Sequence, residues 1–580
     1  MAVSLFVALL AVGCAHGLAV PDALPSDNAT HIAGPANRCR CFPGDPCWPT
    51  DTEWGAFNRT VGGRLVATIP IAAVCHDNPW VPYDAEACAA LQATWDYPQT
   101  HYPTSSSPMA PFFANASCDP FTARSAQCVI GSQVQYAVNA TGVGDYQKTL
   151  AFAKARNLRL VIRNTGHDYF GKSTGAGALE IWTHHLKHVE FIPEYQSSVY
   201  RGKAFKFGAG VQMFEAYAAA DAAGVTIVGG DCDTVGIVGG YSQGGGHGPL
   251  MSRFGLGADQ VLAWEVVTAN GQHLVADADH NKDLYWALSG GGGGTYAAVL
   301  SATVRAHEDL IVSGGNLTFT SAGVSDDDFY SAMQTFLLSL PAMADAGTWS
   351  AFQLISGIFI LTPLFGPGLR KENIQALLEP TLKFLDAKNF TYSYNIQQYD
   401  KFYDGFNNLI PFNNITEYNI GGRLIPRSLV VDDESIPPLM NAIKYILGEG
   451  GGIAGSHFNV SRFPLQGTAN AVNPVWRDSI FDAVLGLPYD YLNFTANFAV
   501  QDQMTNVLMP ALKAVTPGGG SYLNEADFRD PDWQSAFYGV NYPALKAVKD
   551  KYDPAKLFFG PTAVGSEEWV VEADGRLCRA

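Results

Sequence analysis

Along the 580-residue chain the period of hydrophobic and polar positions changes repeatedly, and the changes mark its organisation. Tyr146, Leu150 and Ala153 recur at helical spacing, and Leu158, Leu160 and Ile162 then alternate as in a strand. That strand runs into a polar loop, Arg163-Asn164-Thr165-Gly166-His167-Asp168. The pattern repeats with a strand near Phe205 to Phe207, a helix from Val211 to about Ala223 and a strand over Val225 to Val228, which ends in a glycine-rich loop from Gly229 to Gly248. Val261 to Thr268 and His273 to Ala276 read as two more strands, and the Asn270-Gly271 pair between them predicts a hairpin. A helix around Asp283 to Leu288 leads into a third glycine loop, Ser289 to Thr295. Residues 309–520 carry longer mixed strands and helices without such glycine clusters and read as a second domain.

The two ends differ from this middle. Met1 to Gly13 is a short apolar run followed by small residues up to Ala19, the shape of a secretory signal over 1–19, although no Lys or Arg precedes it. The run is too short to span a bilayer, and no later stretch has spanning length. Nine Asn-x-Ser/Thr sequons, at Asn28, Asn58, Asn115, Asn139, Asn316, Asn389, Asn414, Asn459 and Asn493, fit an extracellular protein carrying N-linked glycans. Ten cysteines become nine once Cys14 leaves with the signal, and an odd number in an oxidising compartment calls for a use for the leftover thiol. Cys39, Cys41, Cys47, Cys75, Cys88, Cys118 and Cys128 crowd the early part of the chain and Cys578 lies near its end, while Cys232 sits alone. Residues 20–122 therefore read as a disulfide-stapled entry segment with the pairing left open. A zinc site is set aside because the spacing fits no tetrahedral finger.

Composition narrows the partners. Hydrophobic residues at 47% and charged residues at 16% describe a globular chain, and a net charge of −18 repels phosphate backbones and anionic membrane surfaces. Neither nucleic acid nor a membrane is expected, and the chain reads as a monomer.

Three glycine loops after strands suit a bulky anionic cofactor, because backbone N–H groups reach phosphate oxygens only where no side chain intervenes. Gly239 to Gly248 does not meet the Gly-x-Gly-x-x-Gly spacing cleanly and no Walker lysine is present, so NAD and ATP are set aside. His184-His185 has no third ligand at suitable spacing, and no metal is assigned.

Arg163 to Asp168, Gly230-Asp231-Cys232-Asp233-Thr234-Val235-Gly236-Ile237-Val238-Gly239-Gly240 and Gly244-Gly245-Gly246-His247-Gly248 closely resemble the vanillyl-alcohol oxidase/PCMH flavoproteins, in particular the berberine-bridge-enzyme-like branch. Phe537-Tyr538-Gly539-Val540-Asn541-Tyr542, Lys551 to Pro554 and Val564 to Trp569 are similar to that branch's C-terminal flavin-contact segment. The rest resembles fungal secreted members called isoamyl-alcohol-oxidase-like more loosely. The resemblance implies an α+β fold, with a two-subdomain PCMH-type FAD-binding domain and a substrate domain whose mixed or antiparallel sheet is covered by helices. It divides the chain into 20–122 and 123–308 for FAD, 309–520 for substrate and 521–580 returning to the flavin.

It further implies FAD bound by two covalent bonds, from His167 to the 8α carbon and from Cys232 to C6. A neutral imidazole nitrogen and a thiolate are nucleophiles suited to those positions, and giving Cys232 to flavin leaves eight cysteines for four disulfides. Asn164, Thr165, Gly166 and Asp168 are carried over as neighbours of the diphosphate, with Val235, Gly236, Gly239 and Gly240 along it. Gly246 and His247 are placed near the isoalloxazine and Val261 by the adenine, and valine at 235 matches the oxygen-reactive type of the branch. Tyr538 and Tyr542, with Asn541 as hydrogen-bonding partner, are the candidate bases, and Arg423 and Arg427 either line the substrate site or form structural ion pairs. The expected reaction is hydride transfer from the alcohol carbon of a small-molecule substrate to FAD, with O2 reoxidising the flavin to give H2O2. Rival readings are a ring-closing or desaturating flavoenzyme of secondary metabolism, a glycoprotein holding flavin without turnover, and a nicotinamide enzyme.

Overall fold

The helix predicted from Tyr146, Leu150 and Ala153 spans Val143–Ala155 and buries all three against a four-stranded sheet. The computed structural model describes residues 38–115, 117–415, 417–464 and 469–580, of which Cys39–Ala580 packs as one unit. The signal-like segment 1–19, Cys14, Asn28 and Thr416 of the Asn414 sequon lie outside the described residues. In the four-stranded sheet Tyr136–Asn139, Leu179–Trp182 and Leu160–Arg163 run parallel, and Leu65–Ala67 joins antiparallel at the edge. The predicted strand starts at Leu160; Leu158 precedes it and is buried in the same core.

A second, wholly antiparallel sheet orders its strands Val189–Gln196, Arg201–Gly208, Ala298–Arg305, Val261–Val267 and His273–Asp277. The Asn270-Gly271 hairpin forms with Val267 opposite His273, and Gly271 supplies the positive φ, 84°, that this turn demands. The helix Met213–Ala222 lies where the pattern placed it, but the strand after it is only Val225–Thr226, because the chain turns early into the glycine-rich loop.

Residues 312–488 build a seven-stranded antiparallel sheet, ordered Tyr392–Tyr399, Val312–Thr320, Ile358–Pro367, Trp349–Ile355, Gly452–His457, Ser479–Pro488 and Tyr418–Pro426. Alternation gives each strand an apolar face, and helices Asp326–Asp345, Lys371–Ala387 and Pro437–Gly448 cover it through Phe336, Leu340, Leu378 and Ile443. This is the α+β, helix-covered architecture expected. No helix of the described residues is long and apolar enough to cross a membrane.

Eight cysteines pair as Cys39–Cys578, Cys41–Cys47, Cys75–Cys88 and Cys118–Cys128, and Cys232 is free. The first bond ties the segment after residue 38 to the C-terminus, where Arg40 N also donates to Leu577 O at 2.8 Å. A buried ion pair fixes the returning segment: Lys549 Nζ donates to Asp553 Oδ2 at 2.7 Å, Phe558 O at 2.7 Å and Thr295 O at 2.8 Å. Asp553 accepts from the Leu557 and Phe558 amides at 2.8 and 2.9 Å, so both charges are saturated. Lys549→Met would strand the Asp553 carboxylate in the interior. The expected loss is about 3–5 kcal/mol in chemical denaturation, and a loss below about 1 kcal/mol would mean that the pair does not hold this segment.

Candidate active site

The three glycine loops and the C-terminal segment converge on a cleft that, with the solvent at its mouth, encloses about 1530 Å³. Of the residues expected at the cofactor, Asn164, Thr165, Gly166, His167, Asp168, Cys232, Val235, Gly236, Gly239, Gly240 and His247 line it. Beneath the first loop lies Arg163, fully buried, whose Nη2 donates to Ser107 O at 2.6 Å, with Thr165 O at 3.3 Å and His101 O at 3.4 Å. Gly166 rests directly on that guanidinium: a Cβ there would meet Arg163 Nη1 at 2.5 Å. Asn164 donates Nδ2 to Ala209 O at 2.7 Å and crosses so close to Gly236 that a Cβ would stand 1.9 Å from Nδ2.

The cleft wall is shaped for a large ligand. A Cβ at Gly240, Gly293 or Gly294 would meet nothing closer than 3.4 Å, so at these three positions bare backbone faces open space. Gln243 Oε1 and Asn164 Oδ1 are buried without a hydrogen-bond partner among the described residues. Backbone amides and unsatisfied side-chain acceptors of this kind fit a nucleotide cofactor with a diphosphate and a polar ring system.

His167 and Cys232 face the same cleft and share one neighbour. Thr234 Oγ1 is 2.9 Å from His167 Nε2 and 3.6 Å from Cys232 Sγ. Burial, with the charges of His101 and Arg163, lowers the His167 imidazole to about 3, so its ring is neutral. Burial lifts the Cys232 thiol to about 12, with the Thr234 hydrogen bond opposing and Asp231 and Asp233 adding to the rise.

Residues 134–277 match the family model described as FAD binding domain, and residues 521–565 match the one described as berberine and berberine like. The chain is 48% identical to the FAD-linked oxidoreductase sor8 of Hypocrea jecorina over 97% of its own length and 98% of that protein. It is 40% identical to the bifunctional decalin synthase calF of Penicillium decumbens, covering 93% of this chain and 95% of that one. Among solved structures, the VAO-type flavoprotein MtVAO615 of Myceliophthora thermophila C1 superposes with a TM-score of 0.90 at 42% identity, covering 93% of this chain and 100% of that chain. The chain belongs to the VAO-type, berberine-bridge-like FAD-linked oxidoreductases.

Several expected site residues of this oxidoreductase stand elsewhere. Tyr538, Asn541 and Tyr542 do not line the cleft. Tyr538 is fully buried and donates to Thr562 O at 2.9 Å, Tyr542 donates to Glu567 Oε2 at 2.6 Å, and Asn541 Nδ2 donates to Ala471 O and Val472 O at 3.2 Å each. Tyr538 supports the third glycine loop behind Gly292, and burial pushes both phenols up, away from a base's range. Gly246 and Val261 are also outside the cleft wall: Gly246 packs on the Tyr241 ring, and Val261 is a buried strand residue whose carbonyl accepts from Tyr285 Oη at 2.6 Å. The Asp168 carboxylate is taken up by its own loop, accepting from the Phe170, Lys172 and Ser173 amides at 3.2, 2.7 and 3.1 Å. Arg427 forms a structural ion pair with Asp345, whereas Arg423 is held by the Thr516 hydroxyl and carbonyl; neither lines the cleft.

Sequence reasoning missed the acidic end of the cleft. Glu525 lines the wall with Tyr522 and Asn524, and its Oε1 is 3.0 Å from His247 Nε2. Asp482, 1% exposed, lies behind them with neither oxygen hydrogen-bonded, and one ligand atom from each of His247, Asp482 and Glu525 falls within 4.8 Å of the others. Burial alone depresses His247, but the Glu525 carboxylate, aided by Asp231 and Asp482, raises it to about 9. Burial and the Glu525 charge raise Asp482 to about 8. His247 and Asp482 therefore both hold protons at neutral pH, which suits proton transfer better than metal binding. One signal was available: Asp482 is the only charged residue in Ser479–Pro488, on the face opposite Phe481, Ala483 and Leu485. Lys172 was also missed; its Nζ lines the cleft 3.4 Å from Leu523 O, and burial, opposed by Asp168, lowers it to about 8.

Both His247 and Asp482 bind protons more tightly folded than unfolded, so their contribution is complete below their unfolded values and lost as pH rises through the folded ones. For His247 the window runs from 6.5 to about 9. Glu525→Gln removes the main lifting charge, so the variant's melting temperature should fall less than wild type's across that window. Equal slopes would show that His247 does not depend on Glu525.

Proposed function

We propose that this oxidoreductase is a secreted oxidase that holds FAD through His167 and Cys232 and takes hydride from the carbon of a small-molecule alcohol. The observation that carries the reading is the pair itself: a neutral imidazole and the one free cysteine among the described residues face one cleft across a shared hydroxyl. When bound, the flavin accepts the hydride and returns its electrons to O2, giving H2O2.

The chain's own groups account for the rest. Glu525 takes the substrate's hydroxyl proton, since its carboxylate is the basic group on the cleft wall with a charged partner, His247, behind it. Tyr169, Phe170 and Tyr522 give the wall its apolar area and exclude water. Val235 lines the cleft near Cys232, consistent with its reading as the position that admits oxygen. Four disulfides and exposed asparagines at the Asn316, Asn389, Asn414 and Asn493 sequons support passage through a secretory, glycosylating compartment.

A second reading, ring closure or desaturation in secondary metabolism, is favoured by the likeness to the decalin synthase. Substrate profiling with peroxide detection separates the two.

Acid precipitation should leave yellow colour on the protein, on peptides containing His167 and Cys232; flavin released into the supernatant would exclude tethering. Glu525→Gln should lower kcat by about 10²–10⁴-fold with the tethered flavin retained, and unchanged turnover would remove Glu525 from the chemistry.

A further inference from the structure

The loop bearing Cys232 is anchored by the N-terminus of the helix Met213–Ala222. Gln212, buried just before the helix, donates Nε2 to Thr234 O at 2.6 Å, and the Met213 and Phe214 amides donate to Val235 O at 2.9 Å and Asp233 O at 2.8 Å. Lys187 Nζ closes the anchor on Gln212 Oε1 at 3.1 Å and Glu215 Oε2 at 2.6 Å. Thr234, 2% exposed, is thereby fixed with its hydroxyl between His167 and Cys232.

A hydroxyl has one proton to give and a neutral imidazole has one N–H, so only two arrangements satisfy this trio. If the hydroxyl donates to Nε2, the sulfur faces an oxygen lone pair and the free ring nitrogen, Nδ1, carries the proton. If Nε2–H donates to the hydroxyl, the hydroxyl proton points to the sulfur and Nδ1 keeps its lone pair. The second arrangement prepares both nucleophiles together, one by tautomer and one by hydrogen bonding to the thiolate.

We propose that Thr234 is the positioning residue for both covalent tethers, acting as acceptor from His167 Nε2–H and donor to Cys232 Sγ. The inference rests on the tethering proposed above. Each tether replaces one hydrogen of the protein group, the imidazole N–H or the thiol S–H, and one C–H hydrogen of the flavin by an N–C or S–C bond. For each tether these two hydrogens, as two electrons and two protons, pass to O2 and leave as one H2O2. Thr234 is not consumed; its hydroxyl keeps Nδ1 unprotonated and offsets the negative charge that develops on the sulfur as its proton leaves.

The test compares full-length wild type with Thr234→Val, Thr234→Ala and Thr234→Ser, reading by peptide mass the fraction of the His167 and Cys232 peptides that carries flavin, with melting temperatures alongside. A hydrogen bond to a charged group is worth about 1.5–3 kcal/mol, so the Val and Ala variants should lose about tenfold or more in the rate at which both peptides acquire flavin. The Ser variant should stay within about twofold of wild type, because it restores the same hydrogen bond. A stably folded Val or Ala variant that tethers at both residues at the wild-type rate overturns the inference, as does a folded Ser variant that fails to tether. Wild type carrying no flavin on either peptide overturns the tethering itself.

Discussion

The site depends on one buried cation. Arg163 ends a strand of the parallel sheet inside the protein, and with no water to solvate it the guanidinium draws in the carbonyls of His101, Ser107 and Thr165. Those contacts tie the disulfide-stapled segment to the cofactor loop and set the surface on which Gly166 lies. Glu180, on the neighbouring strand, is equally buried; its carboxyl is pushed well above the usual range by burial, opposed by the Arg163 charge. The charge that organises the loop also helps keep His167 neutral, so position and protonation state have a common source.

The cleft divides by charge. Around His167 and Cys232 burial favours the uncharged forms of both side chains, whereas at His247 the neighbouring Glu525 charge overrides burial and keeps an imidazolium in the interior. The first environment suits bond formation by neutral nucleophiles and the second suits the handling of a proton. One low-dielectric space supports both because the helix N-terminus at Gln212 fixes the first, while the C-terminal segment and the seven-stranded sheet bring in the second.

Sequence made the local devices legible: the Asn-Gly hairpin, the glycine loops, the helix over Tyr146 and Leu150, and the odd thiol each follow from short-range rules. The α+β architecture came through resemblance in those loops, where backbone must approach a ligand and little variation fits, and most residues the loops nominated lie on one cleft wall. What stayed hidden was long-range. Asp482 and Glu525 are 43 residues apart and both far from His247, so only the folded chain shows that they meet. Tyr538 and Tyr542 sit in a segment whose motif resembles a flavin contact, but their hydroxyls satisfy Thr562 and Glu567 instead, and a motif does not state which way a phenol points. Gly246 and Val261 lie off the cleft wall for a related reason, since being adjacent in sequence to lining residues does not place them on the same side of a loop or strand.

The Cys39–Cys578 bond has a topological consequence. It converts the 540 residues between and including its ends into a covalent ring. The segment bearing Glu525 and Phe558 to Gly560 is then interior to a closed loop and not a terminal tail, so it has no free end from which to peel away or be trimmed by a carboxypeptidase.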